Sequence, residues 1–298
     1  MATDVTAVRT PVAESARRRP RRRTGRTWVP RGVGQWVVLL ACVAMLLWFL
    51  GPVYVIIATA LKGPEAGSSS FLAPPKQLDM SGFRIAWENL SGNLWNSIQI
   101  TIPATVISCL IGAINGFVLS KTPFRGAYLL FTLMLVGMFI PFQSVIIPLF
   151  QFLKLLNLEG TLTGIVVVHI IYGLPIVTLI FRNYYTSIPD AIVEAADLDG
   201  CGLFRTFYHV MLPLSWPGFV VAGIFQFTNI WNDFLFGLVV TSQQTWPVTV
   251  RLNNLIGTTT VDYGSLMAGA IMVAAPTVLV YVLLGRYFIG GLTTGSVK

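Results

Sequence analysis

Residues 36–60 read WVVLLACVAMLLWFLGPVYVIIATA, a stretch of twenty-five residues without a charged side chain that is closed by Lys62. An α-helix needs about 20 apolar residues to cross the hydrocarbon of a bilayer. The stretch is also too long for the apolar core of a secretory signal, which spans about 7–15 residues. We therefore predict a retained membrane-spanning helix, although Ala58-Thr59-Ala60 imitates a signal-peptidase site.

Five further apolar runs follow, each bounded by charged residues. They cover 96–120, 126–153, 160–181, 216–240 and 263–285. The whole chain of 298 residues is 54% hydrophobic and 11% charged, which is more apolar surface than a soluble domain of this size can bury. The sequence predicts an all-α membrane protein, with six transmembrane helices in one domain over 33–289 and a cytoplasmic helical loop at 183–215.

The basic residues predict the orientation of these spans. Nine of the twenty Lys and Arg residues lie in the first 31 positions, and the short tail 290–298 ends in Lys298. The termini and the loops on their side hold fifteen basic residues against five on the other side. By the positive-inside rule, both termini and the loop at 183–215 are expected in the cytoplasm.

The segment 1–32 is rich in Arg, Pro, Ala and Thr and has almost nothing to bury, so it is expected to be disordered. Its cluster Arg17–Arg23 could bind RNA or anionic lipid. The cluster is short, lacks interleaved aromatic residues and lies next to a span, which favours a cytoplasmic anchor over a nucleic-acid site.

The loop at 183–215 carries the most ordered charge pattern of the chain. Ser187-Ile188-Pro189-Asp190 resembles a capping box, so a helix is expected to begin there and to run to Asp199. Gly200 is suited to the left-handed conformation that ends a helix. A second helix is expected from Gly202 to Met211, stopping ahead of Pro213.

In the first of these helices, Asp190, Glu194 and Asp197 follow at i, i+4 and i+7 and form one acidic stripe. Because the inner leaflet of a membrane is itself anionic, the stripe should not face lipid. The neighbouring Ala195 and Ala196 are small and allow another surface to approach closely. Two interpretations remain open: a basic soluble partner, or a solvated acidic face that suits a helix N-terminus.

A second candidate site lies in the fifth span, where Asp233 is a carboxylate at membrane depth. Such a residue is costly unless it faces water or a partner. We predict that Asn229, Asn232 and Asp233 line a solute pathway. The alternative is that Asp233 makes a structural hydrogen bond at the outer interface, with Trp231 as a residue of the aromatic belt.

The chain lacks the motifs of an enzyme. There is no Gly-Lys dipeptide, hence no P-loop for a nucleotide, and neither an HExxH nor a GxSxG pattern occurs. His169 and His209 fall on opposite sides of the predicted topology, and the three cysteines have no metal-ligand spacing. We therefore expect no catalytic site, no metal and no cofactor in this chain.

One motif carries a family resemblance. Glu194-Ala195-Ala196, three residues, Gly200, nine residues, an aliphatic residue, one residue and Leu212-Pro213 resembles the cytoplasmic motif of permease subunits of bacterial ATP-binding-cassette importers. Val210 stands where isoleucine is commoner. Further stretches resemble the second, smaller permease of maltose-type carbohydrate importers: 187–189, 140–141, 147–150, 231–234 and 290–298.

The resemblance implies a multi-pass protein of the bacterial plasma membrane that works with several partners. These are a second, different permease, two copies of a cytoplasmic ATPase that binds ATP and Mg, and an external solute-binding protein. It implies that Glu194 pairs with a basic residue of the ATPase, that Ala195 and Ala196 form the contact surface, and that Gly200 makes the turn.

The expected activity is uptake of a sugar or a glycerol-phosphate-like solute by alternating access. The alternatives are an ion-coupled secondary transporter and an importer permease for a non-sugar solute. A secondary transporter would be expected to show paired broken repeats and more intramembrane ionisable groups than this chain has.

Overall fold

The computed structural model describes residues 33–63, 71–122, 124–256 and 262–293, with side chains to residue 285 in the last range. Its contacts divide the chain into two units, 1–50 and 51–298. The helices in chain order are α1 Val33–Ala60, α2 Ser81–Lys121, α3 Ala127–Met138, α4 Phe142–Leu155, α5 Leu162–Thr186, α6 Asp190–Leu198, α7 Leu203–Thr206, α8 Leu212–Leu214, α9 Trp216–Trp231, α10 Leu235–Val240, α11 Val248–Asn254 and α12 Tyr263–Thr293. The only other pairing in the described ranges is two isolated bridges, so the all-α prediction is confirmed. The predicted tail 1–32 lies outside the described residues, as does most of 290–298.

Four helices are long and apolar enough to cross a membrane: α1, α2, α5 and the 263–285 part of α12. Two bent pairs, α3 with α4 and the 203–214 segment with α9, bring the number to six if each pair is one span. Helix α2 has 41 residues, or about 60 Å at 1.5 Å per residue, and exceeds the hydrocarbon thickness. The helix begins fifteen residues before the predicted span. The prediction missed this part because apolar composition detects only the lipid-embedded part of a helix.

Two of the predicted spans are broken rather than continuous helices. The run 126–153 turns by 100° between α3 and α4, where Pro141 is extended at φ −60° and ψ 121°. The run 216–240 breaks after Trp231, and α10 begins only at Leu235. Apolar residues continue across the first break, so hydropathy alone could not locate it, whereas the second break falls at the polar pair Asn232-Asp233.

The most extensive helix packing lies between α2 and α5 and depends on two glycines one turn apart. A Cβ on Gly112 would lie 2.5 Å from Val177 Cγ1, and a Cβ on Gly116 would lie 2.7 Å from Phe181 Cβ. Small residues at this spacing let two membrane helices approach closely, where dispersion and weak polar contacts replace the hydrophobic effect. This pair positions the end of α2 at Lys121 and the end of α5 at Thr186.

A fully buried amide, Gln226 on α9, joins the same two helices. Its Nε2 donates to Ser108 Oγ at 3.3 Å and to the carbonyl of His169 at 3.1 Å. The side chain fits because Gly173 faces it; a Cβ there would lie 1.9 Å from Nε2. The contact holds α2, α5 and α9 together at one level.

Candidate functional site

The segment 187–215, called the hairpin below, contains the predicted helix and the predicted turn. Helix α6 ends at Leu198, and Gly200 has φ +77°. The N–H of Cys201 donates to the carbonyl of Ala196 at 2.9 Å, and the N–H of Gly200 donates to that of Asp197 at 3.0 Å. These bonds satisfy carbonyls that the helix end leaves free. The predicted left-handed turn at Gly200 is confirmed.

The predicted capping box is wrong. The hydroxyl of Ser187 donates to the carbonyl of Tyr184 at 2.6 Å and so belongs to the end of α5. Pro189 is the residue that precedes α6, and no side chain caps the helix. The side-chain oxygen that seemed free to cap α6 has a nearer acceptor in the preceding helix.

The second predicted helix does not stop ahead of Pro213. Residues Phe207–Met211 form a π-helical turn, in which the N–H of Leu212 donates to the carbonyl of Phe207, and helical structure continues through Pro213 to Leu214. A proline lacks the N–H of a regular turn and crowds the preceding carbonyls, and a wider turn relieves both problems. The 203–214 segment then bends by 77° into α9.

Both ends of the hairpin are bonded to the membrane helices. Lys121, the last residue of α2, donates from Nζ to Asp190 Oδ1 at 2.5 Å and to the carbonyl of Ile188 at 2.6 Å. At the other end, Tyr185 Oη and Ser215 Oγ are 2.7 Å apart. The hydroxyl of Tyr184 also donates to the carbonyl of Leu214 at 2.7 Å. The hairpin is therefore held at both ends.

Between these anchors, the exposed face of α6 carries most of the predicted residues. Glu194, Ala195 and Asp197 are exposed, whereas Ala196 is only 6% exposed. Ala196 was expected to form part of the contact surface, but it is buried within this chain. Asp190 is exposed, but its carboxylate accepts a hydrogen bond from Lys121. Further on, Pro213 is exposed and Leu212 is half-buried.

The same hairpin exposes apolar side chains that sequence reasoning missed. Leu198 is 90% exposed, Phe204 is 82% exposed and Tyr208 is 64% exposed. No local pattern distinguishes these residues from buried ones.

A second feature is a cavity of about 510 Å³ at the break between α3 and α4. Asn229 and Asp233 line it together with His169 and Tyr172, and the rest of its wall is apolar or aromatic. Asn232 is not part of the wall, and its amide donates to the carbonyl of Thr228 at 3.0 Å. The structure thus brings together two of the three predicted pathway residues. Sequence reasoning did not predict His169 as a lining residue. It could have been found by the signal that identified Asp233, an ionisable residue inside an apolar run.

Asp233 also has the structural role that the alternative foresaw. Its Oδ2 accepts the N–H of Gly237 at 2.9 Å, which caps the short helix α10. The same oxygen lies 3.8 Å from His169 Nε2. Trp231 is not a belt residue, since it is 2% exposed and its indole N–H donates to the carbonyl of Val273 at 2.9 Å. The Asp233 carboxylate therefore caps α10 and also lines the cavity.

In the part of the chain that the structure describes, no group of three or more His, Cys, Asp or Glu residues is placed to hold a metal ion. The family model for the inner membrane component of binding-protein-dependent transport systems matches residues 96–288. The chain belongs to this family. It is thus a non-catalytic membrane subunit of an ATP-binding-cassette importer, and the ATPase is a separate polypeptide. An ion-coupled secondary transporter is excluded by this assignment.

Individual relatives agree with the family. A probable ABC transporter permease of Pyrococcus horikoshii is 48% identical over 54% of this chain and 59% of its own length. The xylose/arabinose import permease of Haloferax volcanii is 33% identical over 89% of this chain and 93% of its own length. A crystal structure of a bacterial ABC transporter involved in alginate import superposes with a TM-score of 0.74 at 20% identity, covering 88% of this chain and 99% of that one. That likeness confirms the fold of importer permeases.

Proposed function

We propose that this chain moves a carbohydrate across the plasma membrane by alternating access, driven by ATP that a separate ATPase hydrolyses. The predicted assembly contains a second permease, two ATPase subunits that bind ATP and Mg, and an external solute-binding protein. Both termini and the hairpin are proposed to face the cytoplasm. The likeness to the xylose/arabinose import permease of Haloferax volcanii supports a sugar as solute.

The observation that carries the coupling role is the exposed face of the hairpin between its two anchors. Glu194 is exposed there, and within the described residues no hydrogen bond or ion pair engages its carboxylate. The same hairpin exposes apolar side chains, including Leu198, which is one turn along α6 from Glu194, and Phe204 in α7. An acidic group next to exposed apolar groups suits a protein partner with a basic residue beside an apolar cleft.

Anchoring also explains how force reaches the spans. Because α6 is bonded to the end of α2 and the hairpin exit is bonded to α5, a displacement of the hairpin moves both helices. Those two helices also form the most extensive packing in the molecule. Each nucleotide state of the ATPase then acts by preferring one arrangement of the spans.

The test uses the complete importer in proteoliposomes, with the binding protein, a panel of labelled sugars and an ATPase assay. Glu194→Ala is expected to lower uptake at least tenfold and to weaken recruitment of the ATPase, since one charge-assisted contact is lost. Asp199→Ala is the matched control, because Asp199 is an exposed acid on the other side of α6. Normal uptake and normal ATPase recruitment in Glu194→Ala would contradict the coupling role. Absence of uptake for every sugar would contradict the solute class.

A further inference from the structure

The cavity between α3, α4, α5, α9 and α10 is lined by few ionisable side chains. At about 510 Å³ it falls within the usual range of small-molecule pockets, about 300–1,000 Å³. Within the described residues, His169 and Asp233 are its only lining groups that can carry charge near neutral pH. Its walls offer an aromatic cluster around Phe236, with ring centroids 4.9 Å away at Tyr172 and 5.2 Å away at Phe142.

The pair of His169 and Asp233 never supplies a net positive charge while it shares at most one proton. With the imidazole neutral and the carboxylate ionised, the pair carries −1; with one proton bound to either group, it carries zero. Helix α4 begins at Phe142 on the cavity wall, and a helix N-terminus contributes about half a positive charge at most. With the carboxylate ionised and the imidazole neutral, the charge of the pair outweighs the helix N-terminus, and the field in the cavity is then negative.

The basic side chains nearest along the lining helices lie elsewhere. Arg182 on α5 stacks over the ring of Phe131, 4.3 Å from its centroid, and is ten residues or about 15 Å along the helix from Tyr172. Lys154 is in the last turn of α4, at the end away from the cavity. Neither of them lines the cavity.

We infer that this cavity is a solute subsite that selects against anions, and that Asp233 is its specificity-determining residue. It accepts a neutral or cationic solute that carries hydroxyl groups, for which Asn229 and Tyr172 provide hydrogen-bonding partners. It disfavours phosphorylated and carboxylated sugars. The inference rests on the proposed function only for the carbohydrate nature of the solute, since the charge preference concerns any small molecule that enters.

The test measures the field with charged thiol reagents. Asn229→Cys is introduced into the chain after Cys42, Cys109 and Cys201 have been replaced by alanine, and the complete transporter is studied in permeabilised membranes at pH 7.5. Its labelling rates with ethyltrimethylammonium, ethylsulfonate and uncharged methyl methanethiosulfonates are each divided by the rate with a free thiol in solution. We expect the cationic reagent to exceed the anionic one at least about tenfold, as charged clefts concentrate counter-ions by 10–10³.

Adding Asp233→Asn should bring that ratio to within about threefold of one. Asparagine can still accept an N–H bond and cap α10. Adding Glu88→Gln, an equal loss of charge on the exposed start of α2, should leave the ratio unchanged. The inference is overturned if the ratio of cationic to anionic labelling is near or below one when Asp233 is present. It is also overturned if Asp233→Asn leaves the ratio unchanged, or if even the uncharged reagent fails to label the thiol.

A transport arm separates this result from the proposed function. For a neutral sugar that the importer takes up, we expect its phosphate ester and its uronate to enter at least tenfold more slowly, and Asp233→Asn to narrow that difference. If no sugar is transported, the proposed solute class fails while the labelling ratios still decide the charge preference.

Discussion

The Nζ atom of Lys121 donates to the Oδ1 atom of Asp190 at 2.5 Å, across 69 residues of sequence. The lysine side chain is 4% exposed and the aspartate side chain is 77% exposed, so a buried cation holds a carboxylate that lies at the surface. The same ammonium group also donates to the carbonyl of Ile188. A single side chain thus connects the end of α2 to the start of the hairpin.

Lys121→Met should loosen the hairpin while keeping the apolar stem in place. Hydrogen bonds to a charged group contribute about 1.5–3 kcal/mol each, although an exposed partner such as Asp190 lowers that value. We expect amide hydrogen exchange in 190–198 to rise at least tenfold, while exchange in α2 and α5 stays within about twofold. Lys76→Met, at an exposed lysine before α2, is the control and should change neither. Unchanged exchange in α6 would show that the pair does not hold the hairpin.

Gly200→Ala and Gly202→Ala form a matched pair that tests the turn. Gly200 has φ +77° and Gly202 has φ −77°, and an added Cβ would meet no atom within 4 Å at either position. The difference is therefore conformational, about 1–2 kcal/mol for a residue with a Cβ in the left-handed region. We expect Gly200→Ala to weaken ATPase recruitment about tenfold and Gly202→Ala to leave it within about twofold. Equal effects would show that the turn conformation is irrelevant to docking.

Phe204→Ala should weaken the contact with the ATPase without destabilising the permease, because the ring is already 82% exposed. Exposed aromatic residues at the centre of interfaces typically contribute about 2 kcal/mol, or roughly thirtyfold in affinity. The measurement is the affinity of the purified ATPase for the permease complex in nanodiscs. Leu72→Ala, at a side chain 72% exposed on the opposite side of the proposed topology, should have no effect. An unaltered affinity in Phe204→Ala would place the ATPase contact elsewhere.

Gly173→Ala should destabilise the bundle where α5 meets α9. The new methyl group would lie 1.9 Å from Nε2 of the buried Gln226, and overpacking of this kind costs about 1–3 kcal/mol. The thermal unfolding midpoint in detergent should fall, whereas Gly223→Ala, with no atom within 4 Å of the new methyl, should leave it nearly unchanged. Combining Gly173→Ala with Gln226→Ala should recover part of the loss; a midpoint that falls further would mean that the clash is not with Gln226.

Several features were predictable because their causes are local in sequence. The apolar runs predicted membrane helices, and Gly200 predicted the end of α6, since glycine has little cost at positive φ. The acidic spacing of Glu194 and Asp197 predicted one exposed face, which the structure confirms. Ser187 and Pro213 show the limit of such reasoning: each matched a local rule, but a nearer carbonyl in one case and a π-helical turn in the other changed the outcome.

By itself, the sequence determined that the chain is an all-α membrane protein, that it lacks the motifs of an ATPase, and that one loop carries an ordered acidic face. Each of these follows from composition, period or spacing along a single segment. Only the tertiary structure decided that Lys121 holds Asp190, that Gln226 fills the space left by Gly173, and that Asn229 and Asp233 share a cavity while Asn232 does not. These are contacts between helices distant in sequence, and they depend on how helices bend and approach, which no short-range pattern encodes.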